Sequence, residues 1–301
     1  MIGSLLTSMP NAITLGLIWS IMALGVFISY KVLDVADLTV DGSFATGGAV
    51  CCIVICAGGH FILALIAGFI AGLLCGLVTG LLHTLLGVPP ILAGIITQGA
   101  LWSVNLLILS GPNKPLPWNA LVFIEQNNIH SLWKIAIVVV AIVLVLYWFF
   151  GTELGASIRA TGNNQRMSRA IGINTKFNTV LGLMISNGLV ALSGAMLTQF
   201  SGSADIKMGM GAIVIGLCSV VIGLTITSKI TQNFLVRMVG VVVGAIIYYI
   251  IYQMAVTFLK DPNWLKLLAS VIVALFLGIP YVYKKHLAKH FKKKERVVKE
   301  G

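Results

Sequence analysis

The sequence has few charged residues. Only 10% of its 301 residues are Asp, Glu, Lys or Arg, whereas 58% are hydrophobic, and a soluble domain carries about 25% charged residues. The regular alternation of apolar and polar residues that a transmembrane β-barrel requires is also lacking. Because backbone polar groups in hydrocarbon must be paired, the apolar runs predict helices. We therefore expect an all-α, polytopic membrane protein with a single domain, residues 1–301.

Patterns typical of catalysis and metal binding are missing as well. The sequence contains no cluster of His, Asp and Glu at a spacing that suits catalysis, and no GxxxxGK[ST] phosphate loop. The cysteines lie in apolar segments, without other metal ligands at suitable spacing, and are interpreted as small buried residues: Cys51, Cys52, Cys56, Cys75 and Cys218. We predict that this chain has no catalytic residue and binds no metal, cofactor or ATP itself.

What the sequence does contain is a series of long apolar runs. A helix needs about 20 apolar residues to cross the hydrocarbon. We predict eight or nine spans: Asn11–Tyr30, Ser43–Ala57, Phe61–Leu86, Ile91–Leu109, Leu132–Phe150, Thr179–Phe200, Gly211–Thr227, Phe234–Leu259 and Trp264–Tyr283. The third span has glycines at four-residue intervals, which places them on one face and predicts close packing against another helix: Gly68, Gly72, Gly76 and Gly80.

Basic residues are concentrated in two segments. The polar island, residues 152–176, has four Lys or Arg and one acid, and the tail, residues 284–301, has eight Lys or Arg and two acids. The positive-inside rule places both segments in the cytoplasm. Five spans precede the island, so the N-terminus is predicted outside and the C-terminus inside. Because the basic residues lie in loops and the tail, the net charge of +11 does not indicate nucleic-acid binding.

The polar island is predicted to be folded. Two short helices, 154–161 and 164–171, are expected on either side of Gly162. We predict that Asn163 caps the second helix and that Gly172 ends it. One face of the second helix would be basic, which suits the docking of a soluble partner. A basic loop held by anionic lipid is the alternative.

Two stretches of the chain resemble each other at an offset of 168 residues. Ala36-Asp37-Leu38 matches Ala204-Asp205-Ile206. Five predicted spans separate the copies, so they would be inverted in the membrane, as in many transporters with broken helices. The two breaks, 37–42 and 205–211, would then border a central pathway from opposite sides. A chance match, and helix capping by Asp37 and Asp205, stay open as alternatives.

Three segments, in this order, resemble ABC-importer permease subunits of the branched-chain amino acid and ribose type. They are ADLTVDGSFATGGAV (36–50), RATGNNQRMSRAIGIN (159–174) and ISNGLVALSGAMLTQFSGSADIKMGMGAIVIGLCSVVIG (185–223). Within that type, the chain is similar to permeases that pair with lipoproteins binding tryptophan or tyrosine. The resemblance implies a homodimer, two cytoplasmic ABC ATPase subunits that bind ATP and Mg, and an extracellular substrate-binding lipoprotein.

The resemblance also implies roles for particular residues. The polar island would be the coupling element that seats in an ATPase groove, with these residues: Glu153, Arg159, Gly162, Asn164, Arg166, Arg169 and Gly172. Residues 36–43 resemble the broken helix near the translocation path of that family. The plasma membrane and its lipids would surround the assembly.

Polar groups within or between apolar spans are candidates for the translocation path. They are Asp37, Asp41, Gln98, Trp102, Asn105, Ser186, Asn187 and Asp205, and for several of them packing or hydrogen bonding between helices is the competing interpretation. Few polar groups line the spans, which favours an aromatic amino acid over a nucleoside or sugar as substrate. An ATPase-independent carrier or channel is the second alternative, although the spans have almost no mid-membrane acids to couple an ion gradient.

Overall fold

The apolar runs fold into helices, which pair their own backbone groups. The computed structural model describes residues 2–118, 122–124, 129–227 and 233–258, together with 271 and 274. Within these residues the α-helices are α1 Ile2–Phe27, α2 Val40–Cys56, α3 Phe61–Thr84, α4 Pro90–Leu109, α5 Ile129–Gly151, α6 Glu153–Asn163, α7 Gln165–Ala170, α8 Thr175–Ser201, α9 Ala212–Thr227 and α10 Phe234–Phe258.

Shorter elements join some of these helices. A π-helical turn, Ile28–Val32, continues α1, and a 3₁₀ turn, Ile206–Gly209, precedes α9. Two three-residue strands, β1 Asn113–Pro115 and β2 Ser203–Asp205, pair antiparallel with Lys114 opposite Ala204.

The predicted class, an all-α polytopic membrane protein, is confirmed. Seven helices of the described residues are long and apolar enough to cross a membrane, and α2 is a shorter apolar helix. These eight helices correspond to the first eight predicted spans. The predicted ninth span, 264–283, lies outside the described residues except for 271 and 274, and the basic tail, 284–301, lies outside them entirely.

Helices α1 and α8 form the centre of the fold. Both are largely buried, whereas α3, α4 and α5 expose apolar side chains along much of their length. The Ser186 hydroxyl of α8 donates to the Gly25 carbonyl of α1 at 2.7 Å, and the Ser193 hydroxyl donates to the Ile18 carbonyl at 2.7 Å. These two hydrogen bonds join the antiparallel helices α1 and α8 in the buried interior of the protein.

The geometry repeats at the offset found in the sequence. At an offset of 168 residues, Ile18 is equivalent to Ser186 and Gly25 is equivalent to Ser193. The residue pair of one hydrogen bond, Gly25 with Ser186, is therefore equivalent to the pair of the other, Ser193 with Ile18. The same offset relates two local turns: Asp37 accepts from the Thr39 N–H at 2.8 Å, and Asp205 accepts from the Lys207 N–H at 2.7 Å. The structure therefore supports the inverted repeat.

Each copy of the repeat contains a broken segment between helices. The first break spans residues 33–39 because α2 already begins at Val40, so Asp41 and Gly42 lie in the first turn of a helix and not in the break as predicted. The second break spans residues 202–211 and contains β2 and the 3₁₀ turn. Residue 41 and its counterpart at the same offset, Gly209, touch each other: a Cβ on Gly209 would overlap the Asp41 carbonyl.

The glycine face of α3 packs against α8, as predicted. A Cβ on Gly76 would overlap the Leu183 carbonyl, and one on Gly72 would overlap the Asn187 carbonyl. The backbones of α3 and α8 therefore approach more closely than a residue with a Cβ atom at these positions would allow. This contact holds α8 between α1 and α3.

The close approach predicts that Gly76→Ala destabilises the protein by about 1–3 kcal/mol, because the added methyl group meets backbone that cannot rotate away. The matched control is Gly99→Ala on α4, where a Cβ has no neighbour within 4 Å. Thermal unfolding in detergent should give a lower midpoint for the first variant and an unchanged or higher midpoint for the second. Equal midpoints would contradict the packing.

Candidate functional site

The polar island folds into α6 and α7, with a cap at each boundary. The Thr152 hydroxyl accepts from the Gly155 N–H at 3.4 Å and caps α6. Asn164 has an extended backbone, and its side chain accepts from the Met167 N–H at 3.0 Å to cap α7. Gly172 follows α7 with a φ of 86°, which glycine adopts without strain. The predicted end at Gly172 is confirmed.

Two details of this segment were predicted incorrectly. Gly162 does not interrupt the first helix, which continues to Asn163, and the cap of α7 is Asn164, not Asn163. Glycine occurs at position 162 because α6 lies against the end of the π-helical turn: a Cβ there would overlap the Val32 carbonyl. A glycine demanded by packing gives the same signal in a sequence as one that ends a helix.

Helix α6 is fixed to the membrane helices at several points. A Cβ on Gly155 would overlap the end of α5 at Phe149, and Ile158 is fully buried. The Asn178 side-chain amide of α8 donates to the Thr161 hydroxyl at 3.0 Å. Helix α6 is therefore packed against α5, α8 and the π-helical turn.

In contrast, α7 is largely exposed. Met167 and Ile171 are each 64% exposed, and Arg166 and Arg169 are exposed as well, on another face of the short helix. The Arg169 Nε donates to the Thr175 hydroxyl at 2.8 Å, which connects α7 to the start of α8. We call these four residues, Arg166, Met167, Arg169 and Ile171, the α7 surface. It combines positive charge with exposed apolar side chains.

The remaining predicted coupling residues have other positions. Glu153 is exposed in the first turn of α6, where an acid suits the helix dipole. Arg159 is exposed on α6, and its guanidinium lies 5.5 Å from the centre of the Phe234 ring on α10. The structure therefore brings together Arg166 and Arg169 but separates Arg159 from them.

Three of the predicted path residues are buried in hydrogen-bonded contacts between helices. Asp37 is only 3% exposed, and one of its carboxylate oxygens accepts from the Asn187 amide at 2.7 Å. The Asn187 side-chain oxygen, Oδ1, in turn accepts from the Ser43 hydroxyl of α2. Ser186 binds the Gly25 carbonyl, as described above. These contacts join α8 to α2 and to the first break.

Asp41 and Asp205 bind backbone N–H groups. Asp41 accepts from the Gly211 N–H at 3.0 Å and from the Ile213 N–H at 2.9 Å, so it caps the start of α9 from a different helix. Asp205 accepts from Lys207, and its second oxygen accepts weakly from the Asn113 side chain at 3.4 Å. Both carboxylates therefore stabilise the second break.

The three candidates on α4 do not share one environment. Trp102 is 41% exposed on the outer face of the helix, while Gln98 is half-buried beside α2. Asn105 is 1% exposed, and its side-chain oxygen has no hydrogen-bond partner among the described residues. A role of these residues in a translocation path stays a prediction.

Sequence reasoning missed the partners of these groups. Ser43, Ser193 and the hydrogen-bonded hydroxyls of Thr39 and Thr79, 2.7 Å apart, were not singled out. Isolated hydroxyl residues in apolar spans were the available signal, but such residues also bond to their own helix. The described residues contain no group of three or more His, Cys, Asp or Glu that could hold a metal ion.

Comparison with known proteins gives consistent matches. The family described as "Branched-chain amino acid transport system / permease component" matches residues 8–279. The tyrosine transport system permease protein of Clostridioides difficile (strain R20291) is 36% identical over 268 residues, which are 89% of this chain and 90% of that protein. The D-allose transport system permease protein of Escherichia coli (strain K12) is 27% identical over 200 residues, 55% of this chain and 61% of that protein.

A solved structure shares the fold. A transporter described as a metal-chelate type ABC transporter in an inward-facing conformation aligns with a TM-score of 0.52. Its sequence is 15% identical, and the alignment covers 91% of this chain and 86% of that chain. At this level of identity the likeness concerns the fold.

The contact of Asp37 with Asn187 can be tested by exchanging the two side chains. Asp37→Asn should destabilise the protein by about 1–3 kcal/mol, because it replaces an acceptor by a donor facing the Asn187 amide. The double variant Asp37→Asn, Asn187→Asp restores one acceptor and one donor and should recover part of the loss. Thermal unfolding of the three proteins measures this. A double variant less stable than the single one would show that the pair is not coupled in this way.

Proposed function

The chain belongs to the family of branched-chain amino acid transport system permease components, and from this premise we propose that it is the membrane subunit of an ATP-driven importer. Two copies would form the transmembrane pathway in the plasma membrane. Two cytoplasmic ABC ATPase subunits would bind ATP and Mg, and an extracellular lipoprotein would deliver the substrate. The chain itself catalyses no reaction in this proposal.

The exposed α7 surface, attached to the membrane helices through α6, is the observation that carries the coupling proposal. Arg166 and Arg169 supply positive charge, and Met167 and Ile171 supply apolar contact area. A partner with an apolar groove and acidic residues at its rim fits such a surface. An ATPase subunit that docks here places its nucleotide-driven movement directly against the start of α8.

Movement of the α7 surface would reach the centre of the fold by two routes. The Arg169–Thr175 hydrogen bond connects α7 to α8, and α6 contacts both α8 and the π-helical turn that ends α1. Because α1 and α8 pack together through backbone-directed hydrogen bonds, they would move as rigid elements. Rigid movement of packed helices is a common way to open one side of a transporter and close the other.

An amino acid, and within that class an aromatic one, is the substrate that we propose. The relative named for tyrosine transport supports this choice, since the two chains align over nearly their full lengths. A sugar is the alternative that a specific observation favours, because the relative named for D-allose transport also aligns with this chain, though over a smaller part of it.

The proposed orientation follows from the coupling role. If the α7 surface contacts a cytoplasmic ATPase, the α5–α6 boundary and the start of α8 lie on the cytoplasmic side. The basic tail, 284–301, would then also be cytoplasmic by the positive-inside rule.

Charge reversal at Arg166 and Arg169 tests the docking role. The double variant to Glu should lower substrate-stimulated ATP hydrolysis and uptake about tenfold or more, because like charges across an interface cost several kcal/mol. The measurement uses the complex of permease, ATPase and lipoprotein in proteoliposomes. Normal uptake by the double variant would refute the docking role.

Two controls separate docking from folding. Arg166→Glu alone changes a side chain without a hydrogen bond among the described residues, so its effect reports the interface. Thr175→Val removes the contact of Arg169 with α8 but leaves both arginines in place. If Thr175→Val reproduced the double variant while Arg166→Glu had no effect, the loss would come from the α7–α8 contact.

The substrate and the energy source can be tested in one series. Proteoliposomes with the full complex should accumulate labelled tyrosine only when ATP is supplied on the side of the membrane that carries the ATPase subunits. An excess of unlabelled tryptophan should reduce this uptake, whereas an excess of D-allose should not. Competition by D-allose alone would favour the sugar. Accumulation by the permease without ATPase subunits would identify a carrier or channel.

A further inference from the structure

Two cavities adjoin at the end of the molecule that contains α6. One has a volume of about 540 Å³ and is lined by residues of the α1 end, α6 and α10, including Lys31, Asp34, Arg159 and Arg237. The other has a volume of about 550 Å³ and lies between the end of α5, Arg159 and the start of α10. Arg159 and Phe234 line both cavities.

The first cavity has an excess of positive charge that no described residue neutralises through an ion pair. Lys31, Arg159 and Arg237 line it together with one acid, Asp34. Within the described residues none of these three cations forms an ion pair or a side-chain hydrogen bond, and the Arg159 guanidinium lies 5.5 Å from the centre of the Phe234 ring. Lys31 and Arg159 are exposed and Arg237 is half-buried, so a ligand can reach all three charges, and partial burial favours a bound acceptor at the Arg237 guanidinium. An anion from outside the chain would satisfy it.

The second cavity opens toward the lipid-facing side of α5. Tyr147 and Trp148, in the last turn of α5, line it and are 44% and 71% exposed. Tyrosine and tryptophan favour the boundary between hydrocarbon and head groups. The exposed Leu144 and Val145 of α5 continue the same helix toward the hydrocarbon. Apolar surface therefore leads from the membrane directly to the basic cavity.

We propose that these two cavities form a binding site for an anionic phospholipid of the cytoplasmic leaflet. Lys31, Arg159 and Arg237 bind its phosphate-bearing head group, and an acyl chain follows the exposed face of α5 past Trp148. The assignment to the cytoplasmic leaflet rests on the proposed function, whereas the binding of the lipid does not. In this proposal Arg159 holds lipid between α6 and α10, and Arg166 and Arg169 remain free to contact the ATPase.

Retention of lipid by the purified permease tests the site. The protein is delipidated in detergent and titrated with phosphatidylglycerol or phosphatidylcholine, and bound lipid is counted by native mass spectrometry. Phosphatidylglycerol should bind more tightly than phosphatidylcholine. Arg159→Gln and Arg237→Gln should each weaken its binding about fivefold, because each basic residue near a membrane surface contributes roughly that factor.

Arg166→Gln is the matched control, because it removes the same charge from the same segment at a residue that is exposed like Arg159 but lies outside both cavities. It should leave the affinity for phosphatidylglycerol unchanged. An equal loss in the control and in Arg159→Gln would overturn the site, and so would equal affinity for the two lipids. Displacement of the lipid by millimolar inorganic phosphate would overturn it in favour of a soluble anion.

This assay contains no ATPase subunit and no transported substrate. A failure of the coupling proposal would therefore leave its outcome unchanged. Conversely, loss of the lipid site would appear in the mass spectra while charge reversal on the α7 surface still uncoupled ATP hydrolysis from uptake. A variant that failed to fold would be recognised because it would also lose phosphatidylcholine binding and its cooperative thermal transition.

Discussion

The packing of α8 against α1 is the contact that the rest of the structure depends on. Hydrocarbon around a membrane protein offers no hydrophobic force between helices, so close packing and hydrogen bonds must hold them together. Here two serine hydroxyls of α8 donate to backbone carbonyls at two positions along α1. On its opposite side, α8 packs closely against the glycines of α3. Both breaks of the chain, and helices α6 and α7, are attached to this central pair.

The inverted repeat also explains why its sequence signal is weak. Where a pseudo-twofold axis passes between two copies, equivalent residues contact each other, and a close backbone approach at that point restricts which side chain each can have. Asp41 and Gly209 are such a pair: the Asp41 carbonyl occupies the space of a Cβ on residue 209. Asp41 is then free to cap α9, whereas the equivalent position cannot cap α2. The two copies therefore share a backbone arrangement, whereas their side chains at equivalent positions differ.

The sequence was sufficient to predict the features that depend on one segment at a time. Span positions, the glycine face of α3 and the end of α7 at Gly172 each follow from local composition. Features that depend on a neighbouring element were not predictable. Gly162 has the signature of a helix break, yet the Val32 carbonyl beside it is the reason for glycine. Asp37, Ser186 and Asn187 were identified as unusual residues, but their partners could not be read from the sequence. Ser186 binds Gly25, whereas Asn187 binds both Ser43 and Asp37.

Charge in the polar island illustrates the same limit. Counted along the chain, Arg159, Arg166 and Arg169 form one basic segment, and one function for all of them is the simplest interpretation. In three dimensions all three are exposed, but Arg159 lies against the Phe234 ring of α10, whereas Arg166 and Arg169 lie on α7. Since α6 is fixed against α5, α8 and the π-helical turn, this separation is built into the fold. Under the two proposals above, one short segment would contact lipid through Arg159 and a soluble partner through α7, with α6 packed between them.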